Sequence, residues 1–208
     1  KHLAEKGLEV RLWAYEHDVV NAINTSHENP VFLKGVPLPS NLMATSSLVD
    51  AVHGCDGVLF AVPSHRTRSV LHQLAPYISE PLPFVCATKG IEETTAKLMT
   101  QVMEDELSPS MHRSLMVLSG PSFASEFSIM KPTAVCLAGS DEPLVRQFQG
   151  ALMTPVFRVY ADTDVIGVQL GGALKNVMAL AAGVIDGLAL GLNARAALIT
   201  RGLAEIIR

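Results

Sequence analysis

Apolar and polar positions follow two rhythms along this chain. Glu9-Val10-Arg11-Leu12-Trp13 alternates as a strand does, after a helical stretch from Lys1 to Lys6 that stops at Gly7. Gly57-Val58-Leu59-Phe60-Ala61-Val62 is a continuous apolar run of strand length, the pattern of a parallel strand covered on both faces, and Pro63 ends it. The pattern then repeats. Helices are expected from about Thr67 to Ala75, Glu92 to Leu107, Ser122 to Phe127 and Glu142 to Met153. Between them fall strands at Pro83 to Ala87, Leu115 to Leu118, Thr133 to Leu137 and Val156 to Tyr160. A short strand at Leu42 to Thr45, with a brief helix capped by Ser46 or Ser47 and running through Val52, fits the same plan. Alternation of this kind predicts an α/β fold with a doubly wound sheet.

Beyond Tyr160 the rhythm changes. Asp162-Thr163-Asp164 offers helix caps, and the rest of the chain has no strand candidate, only alanine-rich and glycine-spaced apolar segments. This places a boundary between a dinucleotide-binding type of domain over 1–163 and the beginning of an all-α domain over 164–208, with a second helix expected from Asn193 onward. Ile206-Ile207-Arg208 carries no stop signal, and the chain opens inside a β-α-β unit. The expectation is a fragment lacking both ends: the first strand and a glycine-rich phosphate loop, absent from these residues, belong just upstream of Lys1.

Composition narrows the function. Sixteen Lys and Arg against twenty Asp and Glu give a net charge of −4, so no bulk positive field attracts nucleic acid and any anion site is local. Cys55, Cys86 and Cys136 are odd in number and widely spaced, unlike a disulfide framework or a metal-ligand set, which favours a reducing, cytoplasmic location and no metal. No stretch of about 18 residues is free of charged or strongly polar groups, so no membrane span is expected.

In an open α/β sheet, ligands bind beyond the carboxyl ends of the strands. The residues there are Pro63-Ser64-His65, Thr88-Lys89-Gly90 and Ser119-Gly120-Pro121-Ser122. Turn chemistry alone selects Ser, Pro and Gly at such places, yet three loops of this type with a lysine among them suit an anionic ligand. The stronger signal is Gly171-Gly172-Ala173-Leu174-Lys175-Asn176-Val177, where Lys175 is the only charge between Asp164 and Asp186. Helical spacing aligns Gly171, Gly172, Ala179 and Gly183 with Lys175 and Asn176 into a trough of small residues. One reading is a close helix-packing seam with Lys175 reaching solvent along its stem. The other is a substrate site in which burial among Leu174, Val177 and Met178 disfavours the charged amine.

Four ordered motifs, Ala61-Val62-Pro63-Ser64-His65, Cys86-Ala87-Thr88-Lys89-Gly90-Ile91-Glu92, Leu118-Ser119-Gly120-Pro121-Ser122-Phe123-Ala124 and Gly171 to Val177, closely resemble the bacterial NAD(P)-dependent glycerol-3-phosphate dehydrogenases. The likeness continues through Asp186-Gly187 and Asn193 to Gly202. It implies a Rossmann-like domain for NAD or NADP, a helical second domain, and interconversion of glycerone phosphate and sn-glycerol 3-phosphate for phospholipid synthesis. By that resemblance Lys175 is the acid/base and Asn176 its neighbouring amide. Lys89, Gly120 and Ser122 contact substrate, and Tyr15, Pro63, Lys89 and Ala124 contact the cofactor. A small phosphorylated substrate and a second copy of the chain are the implied partners. Two alternatives stay open: a related β-hydroxyacid or ketopantoate-type reductase, and a silent NAD(P)-sensing module, which would have no use for Lys175.

Overall fold

The computed structural model describes residues 1–208. The first part of the chain runs α1 (His2–Glu5), β1 (Val10–Trp13), α2 (His17–Ser26), β2 (Glu28–Asn29), β3 (Leu33–Pro37), β4 (Leu42–Thr45) and α3 (Leu48–Val52). Then β5 (Val58–Phe60), α4 (Thr67–Leu74), β6 (Phe84–Cys86), α5 (Met99–Glu106), β7 (Leu115–Ser119), α6 (Ala124–Phe127), β8 (Thr133–Gly139), α7 (Glu142–Leu152) and β9 (Phe157–Asp162) alternate. The chain closes on two helices, α8 (Val165–Gly187) and α9 (Gly191–Ile207).

Caps legible in the sequence do what their chemistry allows. Ser47 Oγ accepts from the Asp50 N–H at 3.2 Å, Asp141 Oδ1 from Leu144 at 3.2 Å, and Asp164 Oδ1 from Gly167 at 2.8 Å, starting α3, α7 and α8. One apolar core joins Phe60, Phe84 and Val117 of the sheet to Val70, Leu71 and Leu74 of α4 and Met99, Val102 and Met103 of α5. A second core packs Val85, Met116, Leu137 and Val159 against Val145 and Leu152 of α7. Layers of helix on both faces of a sheet make this a Rossmann-like α/β domain followed by the start of a helical one.

Four features depart from the pattern-based expectation. The strands do not form one sheet: β1 pairs only with β4, while β5-β6-β7-β8-β9 form a five-stranded sheet. Between β1 and β5 lies a cleft of about 830 Å³, lined by Leu12, Trp13 and Tyr15 on one side and Leu59, Phe60 and Pro63 on the other. Within the larger sheet β8 runs antiparallel to β7. The β7–β8 connection holds only the single turn of α6, less than the helical crossover a parallel pair needs. The helix expected from Glu92 begins only at Met99. Residues 91–98 instead make a small hairpin-like loop, with Ile91 bridged to Leu98 and Ala96 at φ 57°. Finally, α2 and the β2–β3 hairpin carry no clear period. His17–Ser26 is rich in Asn and β-branched residues and is helical because Val19 and Ile23 bury against Ala4, Leu42 and Ala44.

By length and composition α8 is apolar enough to cross a membrane, with a mean hydropathy of 1.4 over its best window. In the fold it lies along β7 and β8 and against α9, with Gln169, Lys175 and Asn176 along its length. Much of its remaining apolar surface, including Val177, Leu180 and Val184, is exposed.

Candidate active site

The carboxyl ends of β5, β6 and β7 converge because their loops are tied to one another. Thr88 Oγ1 donates to the Val62 carbonyl at 2.7 Å, joining the β6 loop to the β5 loop. Gly90 adopts φ 142°, and a Cβ there would come within 2.9 Å of Ser64 Cβ, so only glycine lets the two loops approach this closely. Gly120 leaves β7 at φ 151°, where a Cβ would fall 2.8 Å from Val135 Cα. These two glycines serve backbone geometry first, and that geometry brings the polar side chains together.

Lys89 is half-buried at this point, its Nζ donating to Ser122 Oγ at 3.5 Å, and Ser122 Oγ donates onward to the Gly120 carbonyl at 3.3 Å. From above, α8 brings Lys175. Its Nζ lies 5.3 Å from the centroid of the Phe123 ring, a cation–π distance. Gly172, less than a turn earlier, packs on Ser119 Oγ, and its absent Cβ would also sit 3.7 Å from Lys89 Cγ. Burial holds the Lys89 ammonium below the ordinary lysine range, and the Lys175 charge pushes the same way.

Lys89, Gly120, Ser122 and Lys175 therefore come together as the motifs suggested. Asn176 follows Lys175 on α8 but is exposed, and Ala124 is exposed at the start of α6. Tyr15 and Pro63 sit apart from the lysines and line the cleft between β1 and β5, with Glu16 beside Tyr15. Tyr15 is 79% exposed. Pro63 is followed by Ser64, the residue that Gly90 approaches closely.

Two expectations about Lys175 are corrected. It is only half-buried, and Leu174 and Val177 are 37% and 62% exposed, because no element of the chain packs on that side of α8. Nor do the small residues form one trough: Gly172 is in contact with Ser119, while Gly171 and Gly183 face open space. Sequence reasoning missed Phe123 and Gln169. Phe123 could have been noticed as an aromatic beside the Ser-Gly-Pro-Ser turn, and Gln169 as a neutral polar residue in an otherwise apolar stretch.

Known proteins resemble this chain in sequence and in fold. The profile of the NAD-dependent glycerol-3-phosphate dehydrogenase N-terminus matches residues 1–145, and that of its C-terminus matches residues 164–208. The chain belongs to this family. It is 52% identical to the glycerol-3-phosphate dehydrogenase (NAD(P)+) of Myxococcus xanthus over 96% of its own length and 60% of the relative's. The corresponding protein of Koribacter versatilis is 48% identical over 97% of the chain and 60% of the relative. The crystal structure of glycerol-3-phosphate dehydrogenase from Coxiella burnetii superposes with a TM-score of 0.89 at 38% identity, over the whole chain and 62% of that protein. The chain thus spans about 60% of the length of these relatives.

Proposed function

We propose that the intact protein is an NAD(P)-dependent oxidoreductase interconverting glycerone phosphate and sn-glycerol 3-phosphate, acting in the cytoplasm to supply phospholipid synthesis. The observation that carries this reading is the convergence of two ammonium groups, Lys89 from a strand end and Lys175 from a helix, around Ser122 and Phe123. Like charges held together favour an anion between them, and a phosphorylated substrate whose carbonyl oxygen gains negative charge supplies one. The curated relatives are named for the same activity.

The residues fit the cofactor. Gly90 and Gly120 leave backbone free of side chains beside the lysines, where a dinucleotide can approach closely. In our reading Tyr15 meets the adenosine end, while Pro63, Lys89 and Ala124 face the rest of the dinucleotide. A nicotinamide held there would supply the hydride chemistry. Every proton is handled by the chain: Lys175 donates to the carbonyl oxygen in reduction and accepts from the hydroxyl in oxidation. Asn176 orients that hydroxyl. Lys89 stabilises the developing oxyanion or the phosphate electrostatically, with no proton transfer of its own, and Gly120 and Ser122 line the substrate. Residues 1–163 and 164–208 act as cofactor domain and the start of the catalytic domain, and the family resemblance adds a homodimer.

Lys175→Met in the full-length protein tests the assignment. Turnover of glycerone phosphate with NADH or NADPH is expected to fall by about 10² to 10⁴ in kcat with folding intact. A kcat within a few-fold of the parent would make α8 a packing helix only. Preference for 2-keto or 3-keto acids over glycerone phosphate in the parent would move the protein to the ketopantoate-type reading.

A further inference from the structure

One uncharged polar side chain is buried between α8 and the α/β layer. Gln169 is 5% exposed and lies less than two turns before Lys175. Its Oε1 accepts from the Thr100 N–H at 3.0 Å, and its Nε2 donates to Thr100 Oγ1 at 2.8 Å and to the Val165 carbonyl at 3.1 Å. Thr100 is itself 7% exposed, in the first turn of α5.

The first N–H groups of a helix have no partner inside it, and a Ser, Thr, Asp or Asn at the cap normally accepts one of them. The residue before α5 is Leu98, which has no acceptor in its side chain. Gln101 Oε1 takes the Leu98 N–H at 2.9 Å, and the Thr100 N–H is taken by Gln169 from a different helix. So Gln169 caps α5 in trans. With both amide hydrogens and its oxygen engaged, it avoids the penalty of an unpaired buried amide.

Gln169 and Gly172 occupy the same face of α8, three residues apart. Gly172 lets the helix come close to Ser119 and Lys89 but offers nothing directional to fix where it stops. Val165 and Val168 pack into the core from this side, again without directional preference. The two hydrogen bonds from Gln169 to Thr100 are directional and cross to α5, so they fix the rotation and the axial seat of α8, while the third holds the side chain to its own helix at Val165. We infer that Gln169 is a positioning residue, bonded through Thr100 to α5, that sets where Lys175 faces Lys89 and Ser122. The inference rests on the reading of that lysine pair as the reacting site. A displacement near 1 Å at a reacting group can cost about 10²-fold in rate, so the seat of this helix has catalytic weight.

The test uses the full-length protein. Gln169→Leu keeps most of the volume and removes all three bonds; Thr100→Val removes only the hydroxyl, and Thr100→Ser retains it. We expect kcat to fall about 10- to 100-fold in Gln169→Leu, with an intermediate loss in Thr100→Val and near-parent rates in Thr100→Ser. Cofactor Kd, read by Trp13 fluorescence, should stay within about two-fold, since none of the residues assigned to the cofactor is changed. In a Lys175→Met background the Gln169→Leu change should lower kcat by less than about two-fold, because the group it positions is gone. Equal factors in both backgrounds overturn the inference. Competitive labelling of amines, read by peptide mass spectrometry, needs no turnover. Labelling of Lys175 relative to exposed Lys34 should rise several-fold in Gln169→Leu, and an unchanged ratio also overturns the inference. A parent that fails to reduce glycerone phosphate yet shows this change refutes the proposed reaction and leaves the seating of α8 supported. If Gln169→Leu does not fold, Thr100→Val carries the same measurements.

Discussion

Lys89 and Lys175 each carry a charge into a site shared by the other, and the burden is unequal. Lys89 lies lower and is dehydrated by its surroundings, with the Lys175 charge as the second influence. Lys175→Met removes only the second, so the Lys89 pKa should rise without reaching the ordinary lysine value. Labelling of Lys89 as a function of pH reads this directly, and a titration identical in parent and variant would mean that the two ammoniums do not share a field. Both lysines were legible in the sequence because a charge at a strand end or inside an apolar helix is an anomaly that periodicity exposes. Their burial was not legible. Pattern places a residue on a face, but the amount of water removed depends on what packs there, and no element of the chain packs over Leu174 and Val177. Phe123 and Gln169 escaped because their roles come from partners far away in sequence: Phe123 lies under Lys175, and Gln169 caps a helix that begins at Met99.

At the scale of elements, the loop after β6 owes its shape to α4. Arg68 holds Glu92 with two parallel bonds of 2.8 Å, and also reaches Glu106 at 2.7 Å and Asp105 at 2.9 Å. Lys97 adds a bond to Asp105 at 2.6 Å. Glu92 is three residues past Lys89, so this cluster anchors the lysine loop to α4 and α5. It also explains the late start of α5: Thr95 and Arg68 take the Glu92 carboxylate, and the chain turns through Ala96 at positive φ instead of entering a helix. A charge network of this kind contributes more than a lone surface pair. Hydrogen bonds from Arg68 hold Glu92 down to about 2 from its ordinary 4.5, and those from Lys97 and Arg68 lower Asp105. Carboxylates held low stabilise the fold above their unfolded pKa values, and that contribution is lost as pH falls through the folded ones. Arg68→Met should therefore lower the urea midpoint clearly at pH 7. Its difference from the parent should shrink between about pH 4.5 and about pH 2. An equal loss at pH 7 and at pH 3 would show that Arg68 acts by packing alone.

For the whole molecule, alternation was enough to read an α/β fold, but it says nothing of which strands pair. Period and run length report how many faces of a strand are covered; pairing is fixed by long-range contacts that leave no local trace, hence the unforeseen split between β1-β4 and the other five strands. That split leaves two free edges facing one cleft. The Val10 and Ala14 N–H groups bond to the β4 side, and the Val58 N–H bonds to Pro83 beside β6. Strand alternation then turns the N–H groups of Arg11, Trp13 and Leu59 toward the cleft. Leu12 is 36% and Leu59 46% exposed there, and an apolar edge of this kind is normally paired or covered, since it otherwise recruits strands from other molecules. A further parallel strand in the cleft would join both sheets into one, make α1 the crossover of a right-handed β-α-β unit ending in β1, and set its own carboxyl end beside Pro63 and Tyr15. Hydrogen exchange on the full-length protein distinguishes the possibilities. With the strand in place, the Arg11, Trp13 and Leu59 amides exchange as slowly as those of β6, with or without cofactor. Exchange within minutes in the cofactor-free protein, slowed only when NAD(P)H is added, would mean that the cleft is open and that the dinucleotide alone closes it.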